Sequence, residues 1–422
     1  MSHTILTKKG EKFYINGKLV YDEIPGCPDS AKGLLMNARF IQGVFDDAAD
    51  VARYHRFARK FDPDKNTDEL IAALPAWHAM GLRAFTVGFQ GGGPCFTIAN
   101  ETIHNNPFGE DGTVIDPAYL SRMERLILAA DRIGMVVIVS LFYGSQTRFL
   151  KDDIAVIAAV KTAANWLRDK GFTNVIIEIA NEHDILPFRV HPILYTADGI
   201  VQLIHIAQRE SGGLLTGCSG TGGYFHESIA QASDVILIHG NDQSRQKLWN
   251  LIQKAKAIKP ERPVMVNEDS QALSNMRVCL DEGVSWGYYN NLTKQEPPAD
   301  WRITEGEDSF FARRVALAVG LEKQDPPIQE QYYLQGLEKN ASADGKRWIR
   351  LAALYPERID RVDFFREGKL AGRAYDDPFV MNSVGSNWYQ RPFPEEIKPG
   401  EKWMAVVTQS DGIVIEVNAV LE

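Results

Sequence analysis

Eight short apolar runs separated by longer amphipathic stretches constrain this chain more than any other feature. The runs are Leu34–Gln42, Arg83–Phe89, Met135–Phe142, Val175–Asn181, Leu214–Cys218, Val235–His239, Val264–Asn267 and Val284–Tyr289. Each is short and lacks the polar alternation of a half-buried strand, the pattern of parallel strands covered on both faces. Between them apolar residues recur at helical spacing. Asp116 can cap a helix with Pro117 in its first turn; Tyr119, Leu120, Met123, Leu126, Ile127 and Ala130 form one stripe, and Gly134 ends it. Segments 153–169, 197–210, 243–257, 270–282 and 308–320 read alike. A helix near 67–80 contains Pro75, which should kink or split it. The fifth and sixth runs are so close that their helix should be a single turn.

Eight β/α repeats over about 300 residues predict an α/β fold, a (β/α)8 TIM barrel. The competing open, doubly wound sheet usually carries a glycine-rich phosphate loop after its first strand. Here Phe40-Ile-Gln-Gly-Val-Phe-Asp-Asp47 follows instead. Gly91-Gly92-Gly93 follows the second run without the Lys-Ser/Thr of a phosphate loop, and reads as a flexible active-site loop.

The flanks differ. Residues 12–21 read as a hairpin turning at Asn16-Gly17. After Asp325-Pro326-Pro327 and a linker over 339–345 come Trp348–Leu354, Arg361–Phe365, Trp403–Thr408 and Ile413–Val420, with turns at Glu367-Gly368 and Asp411-Gly412. This predicts a TIM-barrel catalytic domain over 1–325 with an N-terminal β-hairpin, then a small C-terminal antiparallel β-sandwich over 345–422. Trp388, Tyr389 and Trp403 could bind sugar there, although aromatics in so small a domain are more often core.

A net charge of −9 argues against a nucleic-acid or anionic-membrane partner. No apolar run approaches the roughly 20 residues of a membrane span. Cys27, Cys95, Cys218 and Cys279 show neither metal-ligand spacing nor a disulfide framework; Cys218 and Cys279 read as inert core thiols. The N-terminus lacks the blocks of a signal peptide. If Leu421-Glu422 is a cloning scar and a leader was removed, the native protein is secreted or periplasmic; localisation and oligomeric state stay open.

Two of the runs stop at a carboxylate. Asn174-Val-Ile-Ile-Glu-Ile-Ala-Asn-Glu-His183 ends the fourth, and Pro263-Val-Met-Val-Asn-Glu268 ends the seventh, placing Glu182 and Glu268 86 residues apart. In a TIM barrel catalytic groups sit at the C-terminal strand ends, where the fourth and seventh strands face each other. A retaining glycosidase needs two carboxyls ~5 Å apart. One must hold a proton and the other must be ionised; of two close carboxyls, the less solvated keeps its proton. One glutamate at a strand end is often only an ion-pair partner. A matched pair three repeats apart is much harder to obtain by accident.

Over residues 34–320 the chain resembles the clan A glycoside hydrolases, the retaining superfamily that includes the family 5 cellulases and mannanases. The resemblance rests on Asn181-Glu182, Glu268 and Glu178-Ile-Ala-Asn-Glu182. It implies that Glu182 is the acid/base, Glu268 the nucleophile and Asn181 a ligand of the sugar 2-hydroxyl; Glu178 reads as a structural acid inside the barrel. Family 5 members often carry His-x-Tyr at the sixth strand end. Here His239 is kept and reads as site-lining while Asn241 replaces the tyrosine; both are candidate substrate-binding residues, and the exact family is not assigned. Trp286 stands where the clan has a sugar platform. Tyr143 is a further candidate substrate-binding residue; Gln90 and Arg39 are weaker ones, and Arg39 could instead pair with a barrel acid.

A metal site of His183, Asp184 and His239 lacks ligand spacing, so neither metal nor cofactor is expected. The expected function is double-displacement hydrolysis of a β-linked oligo- or polysaccharide, with Glu268→Ala abolishing turnover but sparing the fold. The alternatives are a non-catalytic carbohydrate-binding barrel and a transglycosylase with the same site. Sugar, linkage and endo or exo action depend on loops 88–116, 143–152 and 185–198.

Overall fold

A computed structural model describes residues 3–56, 58–93, 97–343, 345–383, 386–387 and 390–421. Cys95, Trp388, Tyr389 and Glu422 lie outside the described residues. All eight apolar runs contain strands: β1 (Asn37–Arg39), β2 (Ala84–Gly88), β3 (Val136–Tyr143), β4 (Val175–Asn181), β5 (Leu215–Gly217), β6 (Ile236–His239), β7 (Val264–Glu268) and β8 (Gly287–Tyr288). β8-β1-β2-β3-β4-β5 form one parallel sheet, and β6 pairs with β7 in a second parallel ladder. A bridge between Met265 and Ser285 links β7 to the run carrying β8. The Asp234 N–H, just before β6, donates to the Thr216 carbonyl of β5 at 2.8 Å. The strands thus follow one another in chain order. This mixed α/β arrangement fits a (β/α)8 barrel, although the ladder does not close between β5 and β6.

The helices form where cap and stripe direct. They are α1 (Pro63–Ala79), α2 (Pro117–Arg132), α3 (Asp153–Asp169), α4 (Ala197–Glu210), α5 (Glu227–Ala232), α6 (Arg245–Ile258), α7 (Leu273–Asp281) and α8 (Glu307–Ala318). Asp116 accepts from the Ala118 and Tyr119 N–H groups at the start of α2, and Gly134 takes φ +80° beyond its end. α1 is not split at Pro75. The proline forfeits one backbone hydrogen bond, but Leu70, Leu74 and Trp77 bury one face along both halves of the helix.

The N-terminal hairpin is Lys12–Ile15 paired with Lys18–Leu19, and Leu6–Lys9 adds a third strand. Asn16 and Gly17 take φ +53° and +74°, the backbone of a type I′ turn.

The C-terminal strands are β9 (Tyr332–Gln335), β10 (Arg350–Ala353), β11 (Ile359–Arg366), β12 (Lys369–Ala374), β13 (Phe379–Val380), β14 (Lys402–Gln409) and β15 (Val414–Val420). They make two antiparallel sheets, β9-β10-β13 and β12-β11-β14-β15. Leu334, Leu351, Val362, Phe364, Trp403 and Val407 share one apolar cluster distinct from that of the β/α region. Trp403 is therefore core. β9 begins upstream of residue 345, because Tyr-Tyr-Leu-Gln is too short to show a period. A buried pair joins the regions: Arg350 Nε and Nη2 donate to the two Glu307 oxygens at 2.7 and 2.8 Å.

Candidate active site

Glu182 follows β4 and Glu268 closes β7. Their side chains meet with His239, from the end of β6, so that one ligand atom of each lies within 4.8 Å of the others. Glu182 has φ +56°. A left-handed non-glycine residue costs about 1–3 kcal/mol and persists only where its surroundings hold it. The Glu182 N–H donates to Ser219 Oγ at 3.2 Å, and Ser219 Oγ donates to Glu178 at 2.7 Å. Glu178 also accepts from Asn267 Nδ2 at 2.9 Å. This fully buried acid thus ties β4 and β7 to the loop after β5, beneath the catalytic candidates.

Glu268 is held from two sides. Arg39 Nε lies 2.7 Å from Oε2, and Asn241 Nδ2 donates to Oε1 at 3.0 Å. The Arg39 contact is a close ion pair whose N–H is not aligned for a hydrogen bond with that oxygen. Arg39 Nη2 donates to Asn181 Oδ1 at 2.9 Å, and its guanidinium lies 5.4 Å from the centre of the Tyr289 ring. Arg39 therefore pairs with a barrel acid, the option left open in the sequence, and is spent on Glu268 and Asn181 rather than open to substrate. Asn181 stands beside Glu182 with its carbonyl already used. Asn241 takes up the nucleophile candidate where a tyrosine hydroxyl was the family pattern.

His239 Nδ1 lies 3.1 Å from Glu182 Oε1 and 3.9 Å from Glu268 Oε2. Burial alone would lower the His239 pKa, but Glu268 and Glu182 outweigh it and raise it above the ordinary histidine value. Burial pushes the Glu268 carboxyl up, and Arg39 and His239 oppose the shift without cancelling it. The Glu268 side chain is 4% exposed and that of Glu182 22%. Solvation alone would leave the proton on Glu268; the guanidinium opposes that outcome.

Trp286 is a correction. It is 0% exposed, its indole N–H donates to Asp269 at 2.9 Å, and its ring packs edge-on against Phe311 of α8. Side chains alternate along a strand. Trp286 and Tyr288 turn toward the helices, so Tyr289 is the aromatic that meets Arg39. Trp286 has no face open to a sugar. Gln90 is also taken: its Oε1 accepts from the Tyr143 N–H at 2.9 Å and its Nε2 donates to Asn106 at 2.8 Å. It joins β2 to β3 and does not face substrate. The Tyr143 hydroxyl lies close beneath Gly93. Gly91, Gly92 and Gly93 are buried rather than open, and a Cβ on each would run into Gln42, Gln146 and Gln295 respectively. The triplet is closely packed against these glutamine side chains.

His183, Asp184 and His239 do not converge. Asp184 accepts from the Thr221 N–H and Oγ1 at 2.8 and 2.7 Å, and so fixes the loop after β5. Glu182, His239 and Glu268 offer three donor atoms close enough for a divalent ion. Such an ion would have to share Glu268 with a guanidinium 2.7 Å away. The set suits proton transfer better.

Sequence reasoning passed over Asp269. It accepts from Trp286, Asn275 and Ser270, and burial lifts its pKa to about 7. Asn275 also donates to the Gln243 carbonyl at 3.2 Å, so Asp269 braces the loop that carries Asn241. An acid directly after Glu268 was its only signal. Removing the Asn241 amide should leave one oxygen of Glu268 without its donor. A hydrogen bond to a charged group is worth about 1.5–3 kcal/mol, so Asn241→Ala should lower kcat about 10- to 100-fold with little change in KM. Steady-state kinetics on any aryl β-glycoside that the protein turns over would check this; an unchanged kcat removes the assigned role.

Neither a protein-family model nor a curated protein matches the chain. Solved structures do. A putative glycoside hydrolase from Bacteroides vulgatus is 11% identical with a TM-score of 0.51, covering 99% of this chain and 81% of that one. A β-glucuronidase from Bacteroides uniformis is 10% identical with a TM-score of 0.46, covering 99% and 48%. An endo-β-1,4-mannanase from Thermotoga petrophila is 12% identical with a TM-score of 0.46, covering 92% and 97%. The chain spans about half the length of the β-glucuronidases it matches. At these identities the likeness is one of fold.

Proposed function

We propose that the chain is a retaining glycoside hydrolase of the clan A type, with residues 1–325 as a TIM-barrel catalytic domain. The segment over 345–422, extended back to β9, is an immunoglobulin-like β-sandwich. One observation carries the reading: Glu182 and Glu268, brought together from two strand ends, approach within 4.8 Å. Retaining enzymes hold their carboxyls about 5–5.5 Å apart and inverting ones about 6.5–9.5 Å; two carboxyl oxygens this close support the shorter spacing.

Glu268 attacks the anomeric carbon as the glycosidic bond breaks, and Glu182 gives its proton to the departing oxygen. Glu182 then takes a proton from water, whose oxygen displaces Glu268. Arg39 and Asn241 favour the carboxylate of Glu268 by charge and hydrogen bonding. His239 Nδ1 engages one oxygen of Glu182, leaving the other to carry the proton. Asn181 binds the sugar beside the reacting carbon, and Tyr143 lines the site.

The substrate is a β-linked carbohydrate. A neutral one fits best, because Arg39, the cation at these carboxyls, is already committed to Glu268. Proton NMR of the first product from an aryl β-glycoside should show the β-anomer before mutarotation. An α-anomer formed first would overturn the double displacement.

A further inference from the structure

A cavity of about 630 Å3 lies between the β/α region and the C-terminal sheets. Its volume falls in the roughly 300–1,000 Å3 range of small-molecule sites. One wall is the loop after β6 and the start of α7; the other is the segment after β12. The walls are tied together. The Asp242 N–H donates to Asn387 Oδ1 at 2.7 Å, and the Ser274 N–H to Asp377 Oδ2 at 2.9 Å. Asp242 itself holds φ +58°. The cavity begins one residue beyond Asn241, which holds Glu268.

Most polar groups of the lining already hold one another: Asn387 accepts from the Asp242 N–H, Ser386 donates to Asp242, and Asn275 is bonded to Asp269. Asp376 is exposed on the segment after β12. Tyr375 presents an aromatic ring that is 60% exposed. Carboxylates outnumber cations around the cavity, which disfavours an anionic occupant. An exposed carboxylate beside one open aromatic face suits a ligand that is polar at its edges and carries C–H groups on its faces. A pyranose is such a molecule.

We propose that this seam is a second carbohydrate-binding site, which takes sugar units of a neutral oligosaccharide beyond those held at Glu182 and Glu268. The inference rests on the glycosidase reading and adds that the chain prefers extended glycans. Stacking on Tyr375 and hydrogen bonds to Asp376 hold the distal units.

The test uses the full chain carrying Glu268→Gln, titrated calorimetrically with cellohexaose, mannohexaose and xylohexaose and with the matching disaccharides. Adding Tyr375→Ala should weaken hexasaccharide binding roughly five- to tenfold, the scale of one lost aromatic contact. Asp376→Asn should weaken it less. Both residues are exposed, so the fold should survive either change. Equal hexasaccharide affinity with and without Tyr375, or no binding of any hexasaccharide, overturns the inference. Hydrolysis of the same panel by the unmodified protein judges the glycosidase reading separately. Turnover without dependence on Tyr375 keeps that reading and discards the seam site; Tyr375-dependent binding without turnover does the reverse.

Discussion

Glu268→Gln should lower kcat by about 1,000-fold or more, the scale of losing a nucleophile that acts as part of a unit. Glutamine keeps the size and shape of the side chain but cannot form the glycosyl ester. Added azide separates the two glutamates. With an activated aryl β-glycoside and Glu268 replaced by a smaller residue, azide displaces the leaving group directly, giving an α-glycosyl azide by one inversion. With Glu182 replaced, Glu268 still forms the ester and azide opens it, giving a β-glycosyl azide. The opposite pairing of variants and anomers would exchange the assigned roles, and full activity of Glu268→Gln would end the reading. Glu268→Ala, expected to abolish turnover and spare the fold, should also carry a stability cost. Arg39 is 1% exposed, and Glu268 is the carboxylate paired with it. A buried charge left without its partner costs about 3–5 kcal/mol. Loss of activity in the alanine variant would thus mix lost chemistry with lost stability.

The largest stability effect should come from Lys294. Its ammonium lies 2.8 Å from Asp308 Oδ2, with side-chain exposures of 1% and 0%, and donates to the Asp300 carbonyl at 2.7 Å. Asp308, in the first turn of α8, also accepts from Tyr288 Oη at 2.8 Å, Asn290 Nδ2 at 3.0 Å and Thr304 Oγ1 at 2.9 Å. Lys294→Met preserves much of the side-chain volume but strands the carboxylate. The expected loss is about 3–5 kcal/mol in urea unfolding. The double variant Lys294→Met with Asp308→Asn should regain most of it, because the burial penalty falls chiefly on the unpaired charge. A single variant within about 1 kcal/mol of the parent would show that this pair is not a major source of stability.

Much of this architecture could be read without coordinates because its signals are local. Buried parallel strands are apolar on both faces, so all eight announced themselves. Helix caps such as Asp116 lie within a turn of what they cap. Very short strands were less legible: Tyr332–Gln335 and Phe379–Val380 offer too few residues for a period. At the candidate site, the proximity of Glu182, Glu268, His239 and Asn241 could be anticipated because strand ends can be counted. Trp286 was misjudged because the facing of β8 depends on where a two-residue ladder pairs. A shift of one residue exchanges core and mouth. The β6–β7 ladder carries such an irregularity between Ile238 and His239, and His239 lies opposite Glu268 across it.

The sequence by itself determined the repeat of strand and helix and the two glutamates that end the fourth and seventh strands, since periodicity and chain order need no third dimension. Tertiary structure decided which groups reach those glutamates. Arg39 and Glu268 are more than 200 residues apart in the chain yet 2.7 Å apart in space. Long-range packing fixes that approach, and with it the electrostatic contrast between two carboxyls that look equivalent in the chain.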